Sequence, residues 1–568
     1  MNDRDEEILA TILEQGMSRR RMLQRMVQAG LVVAGATIIP VACSSESKSG
    51  TGTGSATGGK SKRDTLTVAA PETPAGVDWD AYVGITAQEC FLNLYNTALA
   101  WAMKPVEGQP NMMTADYSKL EPQLADDWEF SNGGRTITLK FKKGIMSHAG
   151  NELTSADFLY TRERSLGLAA IGTFLLSAQG ITSKNDVKVV DRHTVQVTSS
   201  QGANPLLADC NTNQYFNLFD STEMKKHATG GDPWSSQWVK THSAGFGPYK
   251  LQSVEQGTGM TWVAHDEYWA GAPPIKTIIH KEVPESANRL ALIANGSVDI
   301  AQELGPRQLS SLKSNPRVTV YSAPSTLEAF IGINAGHKPF DNVMVRQAMS
   351  YAFPYSEVLK NVYLGLARPI LAPFPSVVPG YADISPYKSE DLGKAKSLLQ
   401  QVGYPSGFAT TLTYDLASPE SEQAALLYQA NLKQIGVTLS FDKQPSAALA
   451  EHYTKEQYEL LLRSDGPIQP DINYALALFF ETQTKLRQCC DLSNYSNPAV
   501  DRALDKGRSI LDKSQRIAYH QPIMRTIMND APHIWVADTG FNLAAKKEIA
   551  GVNHYSLYTM LFNRLTVT

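Results

Sequence analysis

The stretch from Gly247 to Ile300 constrains the fold more than any other part of the chain, because its hydrophobic period switches repeatedly within one run. Gly247-Pro248-Tyr249-Lys250-Leu251 is a tight turn running into a strand. An aromatic turn follows at His265-Asp266-Glu267-Tyr268-Trp269-Ala270-Gly271, and then Pro273-Pro274-Ile275. Ile275, Thr277, Ile279, Lys281 and Val283 fall on one side of a period-2 pattern, which predicts a strand with that side turned inward. Ala287 to Asn295 has helical spacing and stops at Gly296, the usual residue just past a helix end. Val298-Asp299-Ile300 then opens a short strand. Strands alternating with a helix in this way build an α/β layer.

The same grammar returns later. Thr326 to Asn334 reads as a strand, and Asp341 is placed to cap a helix whose Val345, Ala348, Met349 and Ala352 form one apolar stripe before Pro354. Thr410 to Tyr414 is a strand; Ser418-Pro419-Glu420 is a cap with proline at the first helical position. Ala425, Tyr428, Leu432 and Ile435 are the buried stripe, Gly436 ends the helix, and Val437, Leu439 and Phe441 alternate in the returning strand. Such a crossover joins parallel strands. Upstream, Leu66, Val68 and Ala70 mark a half-buried first strand, and Val187 and Val189 face Val195 and Val197 in a hairpin.

The N-terminal segment reads as an export signal. Ser18-Arg19-Arg20-Arg21-Met22-Leu23 precedes a moderately apolar, Gly- and Ala-rich run that ends at Cys43. The Arg19-Arg20 pair resembles the twin-arginine signal, with a basic region of a general secretory signal as the alternative. Ile39-Pro40-Val41-Ala42-Cys43 resembles a lipoprotein cleavage box, although Pro40 departs from the usual pattern. Ser44 to Lys62 is Ser/Gly/Thr/Lys-rich, too polar to bury a core, and reads as a tether.

Composition narrows the function. A net charge of −4 over 568 residues gives no basic field for nucleic acid. Cys43, Cys90, Cys210, Cys489 and Cys490 show no metal spacing, and the 11 histidines are scattered singly. No Walker A, HExxH or dinucleotide fingerprint occurs, and Gly403-Tyr404-Pro405-Ser406-Gly407 has its serine in the wrong place for a nucleophile elbow. No catalytic residue and no cofactor is expected.

Several of these stretches together resemble the peptide/nickel-type family 5 of bacterial extracytoplasmic solute-binding proteins, the receptors of ABC importers. They are the Gly247–Ile300 run; Glu121-Pro122-Gln123-Leu124-Ala125-Asp126-Asp127-Trp128 with Lys143-Gly144 and Leu153-Thr154-Ser155-Ala156-Asp157; Lys338-Pro339-Phe340-Asp341 with Val345-Arg346-Gln347-Ala348; and Asn494-Tyr495-Ser496-Asn497-Pro498. The resemblance covers nearly all of Asp64 to Thr568. It implies a two-lobed periplasmic-binding-protein fold (class II, cluster C type) with an inserted subdomain. Carried over, the signal is 1–43, the linker 44–63, lobe I 64–100, 243–323 and 533–568, the insertion 101–242, and lobe II 324–532. In that pattern His148 occupies a turn position and is structural. The implied protein is a monomeric, non-enzymatic receptor. It is lipid-anchored in the periplasm or on the outer face of the cell membrane, and takes a peptide or peptide-like solute to ABC permease subunits. A nickel, metal-chelate or opine receptor of the same family, and an exported hydrolase or redox enzyme, are the alternatives.

Residues for ligand contact follow from position. Open α/β sheets bind ligands beyond the carboxyl ends of strands, and Tyr458-Glu459-Leu460-Leu461-Leu462 is a strand leading to Arg463-Ser464-Asp465. In peptide-binding members of the family an Asp at this turn holds the ligand's ammonium; Asp465 aligns with it, with Leu462 where those members have Trp. A turn cap, or a local pair with Arg463, is the alternative role for Asp465. Arg368, in the loop Gly365-Leu366-Ala367-Arg368-Pro369, suits a ligand carboxylate or simply solvent. Trp79 and Tyr82 follow the first strand as cleft aromatics or as core.

The export reading has a direct test. Arg19→Lys combined with Arg20→Lys is expected to abolish export, and Cys43→Ser to release the protein from the membrane fraction. Continued export of the double variant, or unchanged membrane association of the Cys43 variant, removes the corresponding assignment.

Overall fold

Alternation at Leu66, Val68 and Ala70 becomes the strand Thr65–Ala70, which lies inside a seven-stranded sheet. The computed structural model describes residues 63–568 except 83, 169–170 and 483–491. The sheet runs in the order Val318–Ala323, Phe541–Lys546, Ile300–Ala301, Thr65–Ala70, Thr277–Glu282, Gly259–Ala264, Tyr249–Glu255. Thr65–Ala70 is parallel to both Thr277–Glu282 and Ile300–Ala301, and the remaining pairings are antiparallel. The connecting helix is Ser286–Asn295, ended by Gly296 at φ 85°. Its Arg289 turns inward and donates to the carbonyls of Val283, Pro284, Gln302 and Glu303, at 2.7 to 2.9 Å. One guanidinium thus holds the chain leaving two neighbouring strands.

The inward face of Thr277–Glu282 differs from expectation. Ile278 and His280 are buried, while Thr277 and Ile279 are half-covered and Lys281 is exposed. His280 packs 4.3 Å from the Trp262 ring, and burial lowers its pKa to about 3. The side carrying Thr277 and Ile279 is itself half-covered, so the apolar alternation does not identify the deeper face.

A second sheet has five strands in the order Thr438–Gln444, Ala409–Asp415, Leu460–Asp465, Glu328–Ile333, His533–Asp538. Ala409–Asp415 is parallel to its two neighbours, and the crossover helix Pro419–Gln434 carries Ser418 as its cap and Pro419 at its start, as its sequence requires. The helix Val343–Tyr351 is capped by Asn342, whose Oδ1 accepts from the Met344 N–H at 2.9 Å. Asp341 lies one residue too early for that role. Leu460–Asp465 extends further than the apolar run, because Arg463 and Asp465 stay in register with Phe330 and Glu328. His533–Asp538 also belongs to this second sheet rather than to the first, and the chain returns only at Phe541.

Smaller sheets accompany these two. Ala125–Ser131, Thr136–Phe141, Thr194–Thr198 and Val187–Asp191 form a four-stranded antiparallel sheet, with Val187 opposite Val197 and Val189 opposite Val195. Leu99–Val106, Gln109–Pro122 and Asn553–His554 form a three-stranded one.

A buried ion cluster ties helix Ser155–Leu168 to the loop after the first strand. Arg164 donates to Asp78 at 2.6 and 2.9 Å and to Asp80 at 3.0 Å, and all three side chains are 0% exposed. The Trp234 carbonyl and Ser236 Oγ also accept from the same guanidinium. Trp79, between the two acids, is wholly buried and stacks on Phe219 at 5.1 Å. Arg164→Met should destabilise the chain by about 3–5 kcal/mol, because two buried carboxyls lose their counter-charge. Chemical denaturation measures this, and a loss below about 1 kcal/mol counts against the cluster as a structural tie.

Candidate functional site

The two main sheets share two strands of chain. Val318–Ala323 pairs with Phe541–Lys546 in the first sheet, and Glu328–Ile333 pairs with His533–Asp538 in the second. The crossings are residues 324–327 and Thr539–Gly540. Gly540 has φ 65°, and a Cβ there would lie 2.6 Å from the Ala323 carbonyl oxygen. The crossing strands are therefore too close for a side chain at that point.

Three acidic residues stand in a row where the second sheet meets these crossings. Glu328 is opposite Asp465 on one neighbouring strand and opposite Asp538 on the other. Each has a different environment. Asp465 accepts from Arg463 Nη2 on one oxygen and from the Gly466 N–H at 2.8 Å on the other. The Arg463 and Asp465 side chains are 20% and 28% exposed, and the guanidinium lies over the Tyr453 ring, 5.0 Å from its centroid. Asp538 accepts from Ser376 Oγ and, at 3.3 Å, from the Ser376 N–H. Its backbone exchanges two 2.9 Å hydrogen bonds with Arg368. Burial raises the Asp538 pKa, and the Ser376 hydroxyl and the Arg368 charge oppose that shift. Glu328, in the middle, is driven well above the usual carboxylate range by burial and then by the two acidic neighbours.

Polar atoms with no hydrogen-bond partner among the described residues gather around this row. They include Glu328 Oε2, Asp538 Oδ1, Arg463 Nη1 and Arg368 Nη1, with the Tyr474 hydroxyl and both amide atoms of Gln469 on the segment that follows Asp465. Tyr474 and Asp465 are close enough to interact electrostatically.

Hydrogen bonds also join segments of the two sides of the molecule, one of them just after Asp465 in the chain. Asn213 Nδ2 donates to the Ile468 carbonyl at 2.7 Å, Lys513 Nζ to the Tyr117 carbonyl at 2.8 Å, and Arg307 Nη2 to Gln423 Oε1 at 2.7 Å. On the first-sheet side Glu89 is buried on helix Ile85–Leu94 and accepts from Gln302 Nε2 at 2.6 Å. Gln88 beside it accepts from Gln214 Nε2 at 2.6 Å.

The structure thus brings Asp465 and Arg463 together, while Arg368 pairs with Asp538 at the other end of the row. Trp79 is not available to a ligand: the chain after the first strand tucks beneath the 101–242 segment, and the indole is enclosed there. Tyr82 is half-buried against Gly76 and the same core. His148 is a half-buried structural histidine contacting Ser243 Oγ at 3.0 Å and the Gly247 carbonyl at 3.2 Å. Cys90 and Cys210 are buried free thiols, while Cys43, Cys489, Cys490, Arg19 and Arg20 lie outside the described residues. Glu328 was the residue sequence reasoning missed. Its signal was one acidic side chain at the start of an apolar strand, and its register against Asp465 is not visible in the chain order. No group of three or more His, Cys, Asp or Glu suited to a metal ion occurs among the described residues. None of their helices is long and apolar enough to cross a membrane.

Known proteins share this architecture. Residues 119–486 match the family described as bacterial extracellular solute-binding proteins, family 5 Middle. The glutathione-binding protein GsiB of Pectobacterium atrosepticum is 27% identical over 440 residues, covering 76% of this chain and 83% of its own. Heme-binding protein A of Haemophilus influenzae is 23% identical over 536 residues, covering 90% of this chain and 94% of its own. Among solved structures, the periplasmic binding protein DppA of Helicobacter pylori, in complex with the peptide STSA, superposes with a TM-score of 0.75 at 20% identity, over 89% of this chain and 98% of its own. The fold is the two-lobed one of periplasmic binding proteins.

The buried acids give the chain a pH signature. Burial pushes Glu89 up to about 8 and Asp80 up to about 7, and Glu328 moves in the same direction. Between pH 6.5 and about 8 the Glu89 carboxyl is deprotonated in the unfolded chain but still holds a proton in the folded one. The folded state binds more protons, so stability falls as pH rises through this window. Urea unfolding at pH 6.5, 7.5 and 8.5 should show a loss on the order of 2–4 kcal/mol. A flat or rising profile contradicts the assignment.

Proposed function

The chain belongs to the family 5 bacterial extracellular solute-binding proteins, and we propose that it is the receptor of an ABC importer for a peptide or peptide-like solute. In this reading it acts by binding alone. The solute is held between the lobes and handed to the permease subunits, and no bond is made or broken. The protein works as a monomer outside the cytoplasm, held to the membrane by lipid on Cys43.

The observation that carries the reading is the set of unpartnered polar groups at the meeting of the two sheets. Buried polar atoms in a finished structure are nearly always hydrogen-bonded. Here Glu328 Oε2, Asp538 Oδ1, Arg463 Nη1, Arg368 Nη1, the Gln469 amide and the Tyr474 hydroxyl are left over along the acidic row, on the chain paired with it and on the segment after Asp465. They offer donors and acceptors together, which suits the alternating carbonyls and N–H groups of a peptide. Contacts across the two sides at Asn213–Ile468, Lys513–Tyr117 and Arg307–Gln423 would exclude water around such a solute and strengthen each polar contact.

A thermal-shift panel of di- and tripeptides, a nickel chelate and an opine, followed by calorimetric titration, tests the reading. A true ligand at 100 times its Kd should add about 2.7 kcal/mol of stability. Arg368→Ala should then weaken binding of that ligand by roughly tenfold or more, the worth of a hydrogen bond to a charged group. Failure of every peptide, with binding of the nickel chelate or the opine alone, replaces this reading by the chelate or opine receptor.

A further inference from the structure

The acidic row carries more carboxyl groups than positive charges. Across the paired strands it runs Asp465, Glu328, Asp538, and Arg368 is bridged to the far side of Asp538. Arg463 is ion-paired with Asp465, and the Arg368 charge acts on Asp538. The charges that act on Glu328 are those of Asp538 and Asp465, both of its own sign. Tyr381, which interacts electrostatically with Asp538 and Glu328, brings no positive charge either. Burial and the two acids hold Glu328 well above the usual carboxylate range, the mark of a buried acid without a counter-charge.

The open acceptors lie at the same place. Glu328 Oε2 and Asp538 Oδ1 are enclosed and have no hydrogen-bond partner among the described residues. The two residues are 1% and 0% exposed and stand opposite each other on paired strands, so their side chains leave the same face of the sheet as neighbours. An ionised carboxylate can accept but never donate, so what these oxygens lack is a donor. By contrast, Arg463 and the Gly466 N–H occupy one Asp465 oxygen each. The Tyr474 hydroxyl and the Gln469 amide, on buried residues of the segment after Asp465, are also unpartnered among the described residues. Tyr474 interacts electrostatically with Asp465. The row stands where the parallel strands Ala409–Asp415 and Leu460–Asp465 end, the edge at which open α/β sheets take ligands.

We propose that Glu328 and Asp538 together hold a primary ammonium group of the solute, and that this pair, rather than Asp465, is the receptor's cation subsite. The inference rests on the peptide-like reading above and adds where the solute's amino end is held. The ammonium donates to Glu328 Oε2 and Asp538 Oδ1, and Asp465 keeps Arg463. Three carboxylates then face two guanidinium groups and one ammonium, and the enclosed row is neutral, as a buried set of charges must nearly be.

The test is calorimetric titration of the full chain with a matched pair, alanyl-phenylalanine and N-acetyl-alanyl-phenylalanine, which differ in the ammonium. The wild type is expected to bind the free amine at least about tenfold more tightly. Glu328→Gln keeps the shape of the side chain and removes its charge, and should lower that ratio by about tenfold. Arg463→Gln combined with Asp465→Asn removes the neighbouring ion pair at constant net charge, and should leave the ratio within about threefold. Equal binding, or tighter binding of the acetylated peptide by the wild type, overturns the inference and leaves the peptide reading intact; this comparison stands should a variant fail to fold. An unchanged ratio in folded Glu328→Gln also overturns it. Loss of the ratio in the double variant with retention in Glu328→Gln moves the cation back to Asp465. If the folded wild type binds neither peptide, the peptide-like reading itself fails, and this inference with it.

Discussion

Two strands of chain pass from one sheet to the other side by side, and the rest of the molecule is arranged around that passage. Ala323 is paired with Phe541 on one side of it and Glu328 with Asp538 on the other. Each strand is anchored at both ends by a ladder of backbone hydrogen bonds, so the short links between them are the soft part. Rigid sheets joined by a few loop residues are the usual construction for hinge closure, because only the links must change their dihedral angles. The close approach at Gly540, and at Gly466 where a Cβ would fall 1.8 Å from the Thr326 carbonyl oxygen, keeps side chains out of this passage.

Placing the acidic row at this passage has an electrostatic consequence. Three carboxyl groups on adjacent strands cannot all ionise cheaply when one of them is buried between the other two. The structure resolves the conflict by giving each a different state. Asp465 takes a guanidinium, Asp538 takes a serine hydroxyl with an arginine near it, and burial with two acidic neighbours holds the Glu328 carboxyl well above the usual carboxylate range. A row of this kind is sensitive to any motion of the links, since its spacing is set by strand pairing on both sides.

Elsewhere, buried arginines organise chain segments that the sheets do not reach. Arg289 gathers four carbonyls beyond the first sheet, and Arg164 joins the inserted helix to Asp78 and Asp80. Arg162 lies between the rings of Phe158 and Phe216, 4.5 Å from each centroid. A planar fork with several donors can satisfy carbonyls and carboxylates from several segments at once, which a lysine cannot.

Much of the fold was legible because its signals are local. The crossover helix Pro419–Gln434 with its cap, the helix end at Gly296, and the Val187–Thr198 hairpin depend on neighbouring residues, and period, caps and turn chemistry are properties of neighbours. The resemblance to the solute-binding family came from such motifs read in order. What local pattern could not decide was which residues meet. The period-2 set Thr277, Ile279 and Lys281 proved the shallower side of its strand, and His280 on the other side is buried against Trp262. Trp79 looked equally fit for cleft or core until the inserted segment closed over it. Asp465 was legible as a carboxyl at a strand end, with Arg463 as one of its two possible partners. Glu328 and Asp538 became its neighbours only through antiparallel register between strands far apart in the chain. Sequence by itself determined the elements and their order. Register, burial and the electrostatics of the row were decided by tertiary structure, because a carboxyl group's state depends on which distant strands lie against it.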